Sequence, residues 1–141
     1  MRILGVDYGE RRIGLALSDM LGLTAQPLRT LRVQTPAEGV EQIRTAVQEN
    51  AVERIVVGLP LNMDGSEGPQ AVATREFAAL LKNELSVPVD MQDERLSTVR
   101  AERTMIGADM TRAKREKQRD KMAAQFILQA YLDRRAAAPE Q

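Results

Sequence analysis

Ile3-Leu4-Gly5-Val6-Asp7-Tyr8-Gly9 reads as a buried strand that ends by delivering a carboxylate. Its apolar run stops at Asp7, so the acid is carried to the edge of a sheet, where a ligand can reach it. After the turn-like Tyr8-Gly9-Glu10-Arg11, a second strand from Arg12 to Ser18 has two unlike faces. Ile13, Leu15 and Leu17 fill one layer, while Gly14, Ala16 and Ser18 leave room for a close approach on the other.

Working outward, Ser18-Asp19-Met20-Leu21-Gly22 forms a further turn, and Ala25 to Val33 a third strand that completes an antiparallel meander. Thr35-Pro36-Ala37-Glu38 has the form of a capping box with proline at the first helical position, and Val40, Ile43 and Val47 follow at helical spacing. Arg54 to Gly58 is short, apolar and β-branched, as befits a strand covered on both faces. The connection from Leu59 to Gly68 is rich in turn formers and long for a compact domain, which marks it as a functional loop or a surface connection. Pro69 opens a second helix with an expected core stripe of Ala73, Phe77, Leu80 and Leu81, so the loop presents backbone amides at a helix N-terminus. Val87 to Gln92 is a fifth strand, suited to an edge by Pro88, and it runs straight into Asp93-Glu94-Arg95. Ser97 caps a short helix through about Met105, ended by Gly107, and a final long helix covers the basic segment to about Arg135.

Three strands in a meander, then helix, strand, helix, strand and helix, admit few compact solutions. Right-handed crossovers place the fourth strand beside the first, giving an α/β fold with a mixed five-stranded sheet of order 3-2-1-4-5 and helices on its faces. The connections of strands one and four diverge, and the crevice at their carboxyl ends is the expected ligand site. Asp7 sits at that crevice.

With 141 residues, the chain is most economically a single domain over residues 1–136, with 137–141 a frayed tail. It has neither cysteine nor histidine, which removes disulfides, thiolate nucleophiles, imidazole bases and the usual zinc ligands. A hydrolase built from this alphabet must work through carboxylates, lysines or hydroxyls. No apolar run approaches the roughly 18 residues that a membrane span needs, and no signal segment is evident, so a soluble cytoplasmic protein is expected. The 20 basic and 20 acidic side chains cancel. Between Arg95 and Lys121, however, nine basic residues face four acidic ones, an excess able to track phosphates or simply to solvate a helix.

The topology gathers three acids: Asp7 at the end of strand one, Glu94 at the end of strand five, and Asp120 in the last helix. Strand five lies two spacings, roughly 10 Å, from strand one, so the longer reach of glutamate suits that position. Asp120 heads the helix stripe of Ala124, Ile127 and Tyr131, where a charge is costly unless something compensates it. A divalent cation is the natural compensation, and oxygen ligands without histidine or cysteine select Mg2+ or Mn2+, the ions of phosphodiester cleavage.

Four motifs then occur in order: Val6-Asp7-Tyr8-Gly9 with Arg12-Ile13-Gly14-Leu15-Ala16; Ile55 to Gly65; Asp93-Glu94-Arg95-Leu96-Ser97-Thr98; and Asp120-Lys121-Met122-Ala123-Ala124. Together they resemble the Holliday junction resolvase-like family with the ribonuclease H fold, whose members carry the name pre-16S ribosomal RNA nuclease. The resemblance spans nearly the whole chain. It implies metal-dependent phosphodiester hydrolysis with Asp7, Glu94 and Asp120 as catalytic metal ligands, Asp93 as a partner behind them, and Asn62 in a substrate-facing loop. Better-understood resolvases of this fold carry an acid at the end of the fourth strand, where this chain has Val57-Gly58. The first motif also resembles the phosphate-binding hairpin of actin-like ATPases and sugar kinases, but those proteins need two such domains.

The preferred expectation is a nuclease on structured nucleic acid, RNA before DNA, trimming pre-16S ribosomal RNA ends, with Arg95, Lys117 and Lys121 contacting phosphates and pre-ribosomal particles as further partners. The alternatives are a junction-specific DNA resolvase and a non-catalytic ribosome-assembly factor, and the sequence leaves monomer and homodimer open. The four aromatics, Tyr8, Phe77, Phe126 and Tyr131, sit mostly on core stripes, so backbone and shape recognition are expected over base stacking.

Overall fold

The computed structural model describes residues 1–96 and 112–137, with side chains for 1–95 and 122–137. The helix expected from Ser97, its stop at Gly107, and residues 138–141 lie outside the described residues. Five strands, β1 (Arg2–Tyr8), β2 (Arg12–Ser18), β3 (Ala25–Arg32), β4 (Val52–Leu59) and β5 (Val89–Asp93), form one mixed sheet in the order β3-β2-β1-β4-β5. The meander pairs are antiparallel and β1-β4 and β4-β5 are parallel, as the sequence argument requires.

β3 is an edge strand carrying Pro27, and its register shifts between Leu15 and Ala16 of β2. Proline cannot donate to a ladder, so an edge with a bulge is where it belongs. Helix α1 (Pro36–Glu49) starts as predicted: Thr35 Oγ1 accepts the Glu38 N–H at 3.2 Å, and Glu38 Oε2 accepts the Gln34 N–H at 3.0 Å. The return bond reaches one residue further back than a standard capping box. Helix α2 (Pro69–Glu84) buries Ala71, Thr74, Phe77, Ala78 and Leu81. The expected stripe is therefore rotated: Ala73 and Leu80 are only partly buried at its margin, and small residues face the sheet.

β5 differs in phase from its prediction. It begins after Pro88, whose carbonyl accepts from the Ile55 N–H at 2.9 Å, and continues to Asp93. Glu94 thus opens a single 3-10 turn (Glu94–Leu96) and does not end the strand.

The sheet separates two layers. Leu4, Val6, Tyr8, Ile13, Leu15, Ile55 and Val57 pack with α1 and α2 in the main core, where Tyr8 stacks on Phe77 at 4.3 Å between ring centroids. Ile3, Ala16, Ala25 and Val56 meet Ala124, Leu128 and Leu132 of the last helix, α3 (Arg112–Ala137). Small side chains on this second face bring α3 close. A Cβ at Gly5 would lie 2.8 Å from Leu128 Cβ and 3.0 Å from the Ala124 carbonyl oxygen.

α3 also ties down both edges of the sheet. Gln125 and Gln129 bond the Ala25 carbonyl and N–H at 3.0 and 2.9 Å, and Gln129 reaches the Leu23 carbonyl at 3.1 Å. These bonds occupy backbone groups at the start of β3 that an edge strand otherwise leaves open to another chain. At the opposite edge, the Tyr131 hydroxyl donates to Asp90 Oδ2 at 2.5 Å, and Arg54 donates to the same oxygen at 2.6 Å.

Candidate active site

Asp7 lies opposite Gly14 across β1-β2, and Gly14 lies opposite Thr30 across β2-β3. On the other side, Val6 pairs with Val57, which sets Asp7 level with Gly58, and Gly58 pairs with Gln92. A row Thr30–Gly14–Asp7–Gly58–Gln92 therefore runs across the sheet. Strand alternation puts it on the α3 face, since Gly5, two residues before Asp7, is the residue that meets Leu128. The half-buried Asp7 is flanked on both neighbouring strands by glycine.

Glu94 is 2% exposed, a carboxylate taken almost wholly out of bulk water. Its Cγ lies 3.4 Å from where a Gly58 Cβ would stand, and the same point is 2.4 Å from Ile127 Cδ1. Glu94 thus leans from the end of β5 over β4, and one strand spacing of about 4.8 Å remains to the strand that carries Asp7. A side chain at Gly58 would touch Glu94 at ordinary contact distance but collide with Ile127, so the glycine makes room chiefly for α3. No acid ends β4, and Glu94, which follows β5, is the carboxylate that lies over this glycine. Glycine inside a β-branched strand is a sequence signal for such a close approach.

Asp120 is in α3, one turn before Ala124, but its side chain, like those of Lys117 and Lys121, lies outside the described residues. The described part of the expected stripe is buried as Ala123, Ala124, Ile127, Leu128 and Leu132. Tyr131, expected on that stripe, sits at its margin and bonds Asp90.

Arg95, expected to contact phosphates, is held by Asp93. Its Nε donates to both carboxylate oxygens at 3.2 and 3.1 Å, its Nη2 lies 2.8 Å from Oδ2, and its own backbone N–H is 2.9 Å from Oδ1. Asp93 holds the guanidinium firmly protonated. Arg95 Nη1 also reaches the Met63 carbonyl at 3.3 Å, stapling the loop after β4 to the end of β5. Asp93 accordingly anchors Arg95 beside Glu94.

The loop from Pro60 to Gly68 is knitted internally. Asn62 exchanges backbone bonds with Ser66 and Gly65 at 2.9 Å, and its side-chain amide donates to Ser66 Oγ at 3.0 Å. Gly65, at φ +89, occupies a backbone region that only glycine enters without strain. Asp64 accepts from both Ser66 groups, which holds its carboxyl below the usual range. At the start of α2, Gln70 Nε2 donates to the Tyr8 carbonyl at 2.8 Å, binding that helix to the strand end next to Asp7. Burial, then the nearby Glu10 and Glu76, push the Tyr8 hydroxyl above its ordinary pKa, so it stays a neutral stacking partner of Phe77.

Two acids thus lie at the carboxyl ends of β1 and β5, the parallel strands on either side of β4. A family model described as "RuvX: Holliday junction resolvase" matches residues 1–134. The chain belongs to the RuvX family. Among its relatives, a "Putative pre-16S rRNA nuclease" of Desulfitobacterium hafniense is 53% identical over 133 residues, covering 94% of this chain and 92% of that protein. One of the same name from Heliobacterium modesticaldum is 49% identical over 143 residues, covering 100% and 96%. Among solved structures, Thermus thermophilus RuvC in complex with Holliday junction substrate aligns at TM-score 0.62 with 16% identity over 99% of this chain and 98% of that one. At that identity the likeness shows the fold alone, which is the ribonuclease H-like fold the sequence resemblance implied. This RuvX-family chain is thus a member of a nuclease family, and no described helix is long and apolar enough to cross a membrane.

The donor set fits a hard cation. Asp7 and Glu94 offer only oxygen, and no imidazole or thiolate exists in the chain to draw a softer metal.

Proposed function

We propose that this chain is a divalent-metal-dependent nuclease that cleaves phosphodiester bonds in structured nucleic acid and works on pre-16S ribosomal RNA ends. The observation that carries the reading is Glu94, laid across Gly58 toward the strand of Asp7 while almost fully buried. A carboxylate is not kept in such a place for stability, because desolvating it costs more than a polar or apolar residue would.

Asp7 and Glu94, with Asp120 from α3, would hold Mg2+ or Mn2+. When bound, the ion supplies Lewis acidity toward the phosphoryl oxygens and lowers the pKa of water. The protein's part is to fix the ligands. Asp93 and Arg95 fix the turn from which Glu94 projects, Gly58 lets Ile127 of α3 pack close beside it, and Gln70 holds the Asp7 strand end against α2. Lys117 and Lys121 are proposed phosphate contacts on α3, and Asn62 shapes a loop facing the substrate. Arg95, already engaged by Asp93, contributes to a phosphate through a shared charge. The named task carries with it a cytoplasmic location and pre-ribosomal particles as partners, with the protein acting as a monomer or a homodimer.

The test is cleavage of matched single-stranded RNA, duplex DNA and four-way junctions in Mg2+, Mn2+ or chelator. Asp7→Asn and Glu94→Gln should each lower the metal-dependent rate by about 1,000-fold or more. A preference for RNA supports ribosomal processing, whereas paired symmetric cuts in junctions would move the substrate to DNA. Equal binding by wild type and variants with no cutting by either would end the catalytic reading in favour of an assembly factor.

A further inference from the structure

Beyond the acids, the same end of the sheet carries a basic cleft of about 630 Å³, lined by Arg11, Arg12, Arg32, Val33, Gln34 and Glu38. Arg11 lies in the β1–β2 turn, Arg12 begins β2, and Arg32 ends β3 directly opposite Arg12. Arg12 is two residues from Gly14 and Arg32 two from Thr30, so both share a face with Asp7, one row nearer the sheet end.

Like charges directly opposite across an antiparallel pair are destabilising. Glu38, the acid among the described residues that line the cleft, is turned toward the start of α1. Glu38 Oε2 is taken by the Gln34 N–H at 3.0 Å and Oε1 by the Gln42 amide at 3.4 Å, both in service of the α1 start. Arg11 and Arg32 make no ion pair with a described residue. Three guanidinium groups thus line one concave surface, and those of Arg11 and Arg32 are claimed by no ion pair among the described residues. A polyanion is the ligand for which that arrangement makes sense, because Arg forks match phosphate oxygens and released counterions supply affinity.

Geometry then says which part of the polyanion. Arg12 is one strand from Asp7 and Arg32 two strands away, roughly 5 and 10 Å across the sheet. The far arginine is therefore in reach of a backbone phosphate within a few nucleotides of the acids. We propose that the Arg11–Arg12–Arg32 cleft grips the sugar–phosphate backbone of the substrate strand beyond the cut, without reading its sequence. This rests on the nuclease reading above for its substrate class, and its test is separable from that reading.

The experiment measures equilibrium binding of labelled single-stranded RNA and duplex DNA in chelator, which prevents cutting, between about 50 and about 200 mM salt. Arg11→Gln/Arg32→Gln should weaken binding roughly tenfold and lower the slope of log K against log salt by about 1.4 on RNA and about 1.8 on duplex DNA. Arg11→Lys/Arg32→Lys should keep most of the slope. The thermal midpoint of the glutamine pair should match or exceed wild type, since opposed charges have been removed. An unchanged slope overturns the proposal, and so does a lowered midpoint with a slope that lysine does not restore. A wild type that binds neither nucleic acid overturns the cleft and the nuclease together. A wild type that binds with the predicted slope difference, yet never cuts in either metal, keeps the cleft and ends the nuclease reading.

Discussion

Gly58 decides how near the last helix can come to the sheet. Replacing it with alanine puts a methyl 2.4 Å from Ile127 Cδ1, so Gly58→Ala should destabilise the protein by about 1–3 kcal/mol, read by urea denaturation. Because the obstacle is the far end of a side chain, adding Ile127→Ala should make the combined cost clearly less than additive. Gly5→Ala should resist the same rescue, since its new methyl meets Leu128 Cβ and the Ala124 carbonyl oxygen, which no side-chain truncation beyond Cβ removes. An additive Gly58–Ile127 pair would show that α3 shifts freely over β4. Asp7 was legible in the sequence because an apolar run that stops on an acid can only deliver it to a strand end. The role of Gly58 was not, because a glycine shows that something approaches but not what. The hold of Asp93 on Arg95 was not legible either, because a pairing between residues two apart depends on the turn that follows β5.

Among the elements, α3 bridges the sheet from one edge to the other, and its hold on β5 is one carboxylate with two donors. Burial pushes the Asp90 carboxyl up, but the Tyr131 and Arg54 hydrogen bonds more than offset it, and the net displacement is downward. A depressed folded-state pKa stabilises above the unfolded value, near 3.9, and the benefit is lost as pH falls through the folded pKa. Tyr131→Phe should therefore cost about 1 kcal/mol at neutral pH. Asp90 is 40% exposed, so solvent moderates the charge contribution. The stability gap between variant and wild type should narrow as the pH falls from about 5 toward about 3; a gap constant over that range would mean that the hydroxyl acts through packing alone. Element boundaries were partly legible. The α1 start was, because capping chemistry is local. The α2 face and the β5 end were not, because small residues on a helix and a proline beside an edge strand leave phase to tertiary packing.

At the scale of the whole molecule, the strand order followed from chain order and crossover handedness, which is why it could be read before any coordinate. The proposed cation ligands come from β1, the turn after β5 and α3, so binding of an ion there should couple to global stability. A cation at about 100 times its Kd adds about 2.7 kcal/mol, so Mg2+ or Mn2+ should raise the thermal midpoint by several degrees, chelator should reverse it, and Asp7→Asn should abolish it. The same rise in Asp7→Asn would place the ion elsewhere. The basic cleft escaped the sequence because Arg12 and Arg32 are 20 positions apart and become neighbours only through the β2–β3 register. One feature of this architecture bears on timing. The helix that covers the Asp7–Glu94 face follows all five strands in the chain, and synthesis runs at about 5–20 residues per second. The residues that carry both acids are therefore made seconds before the helix that covers them, and this face of the sheet is the last to be closed.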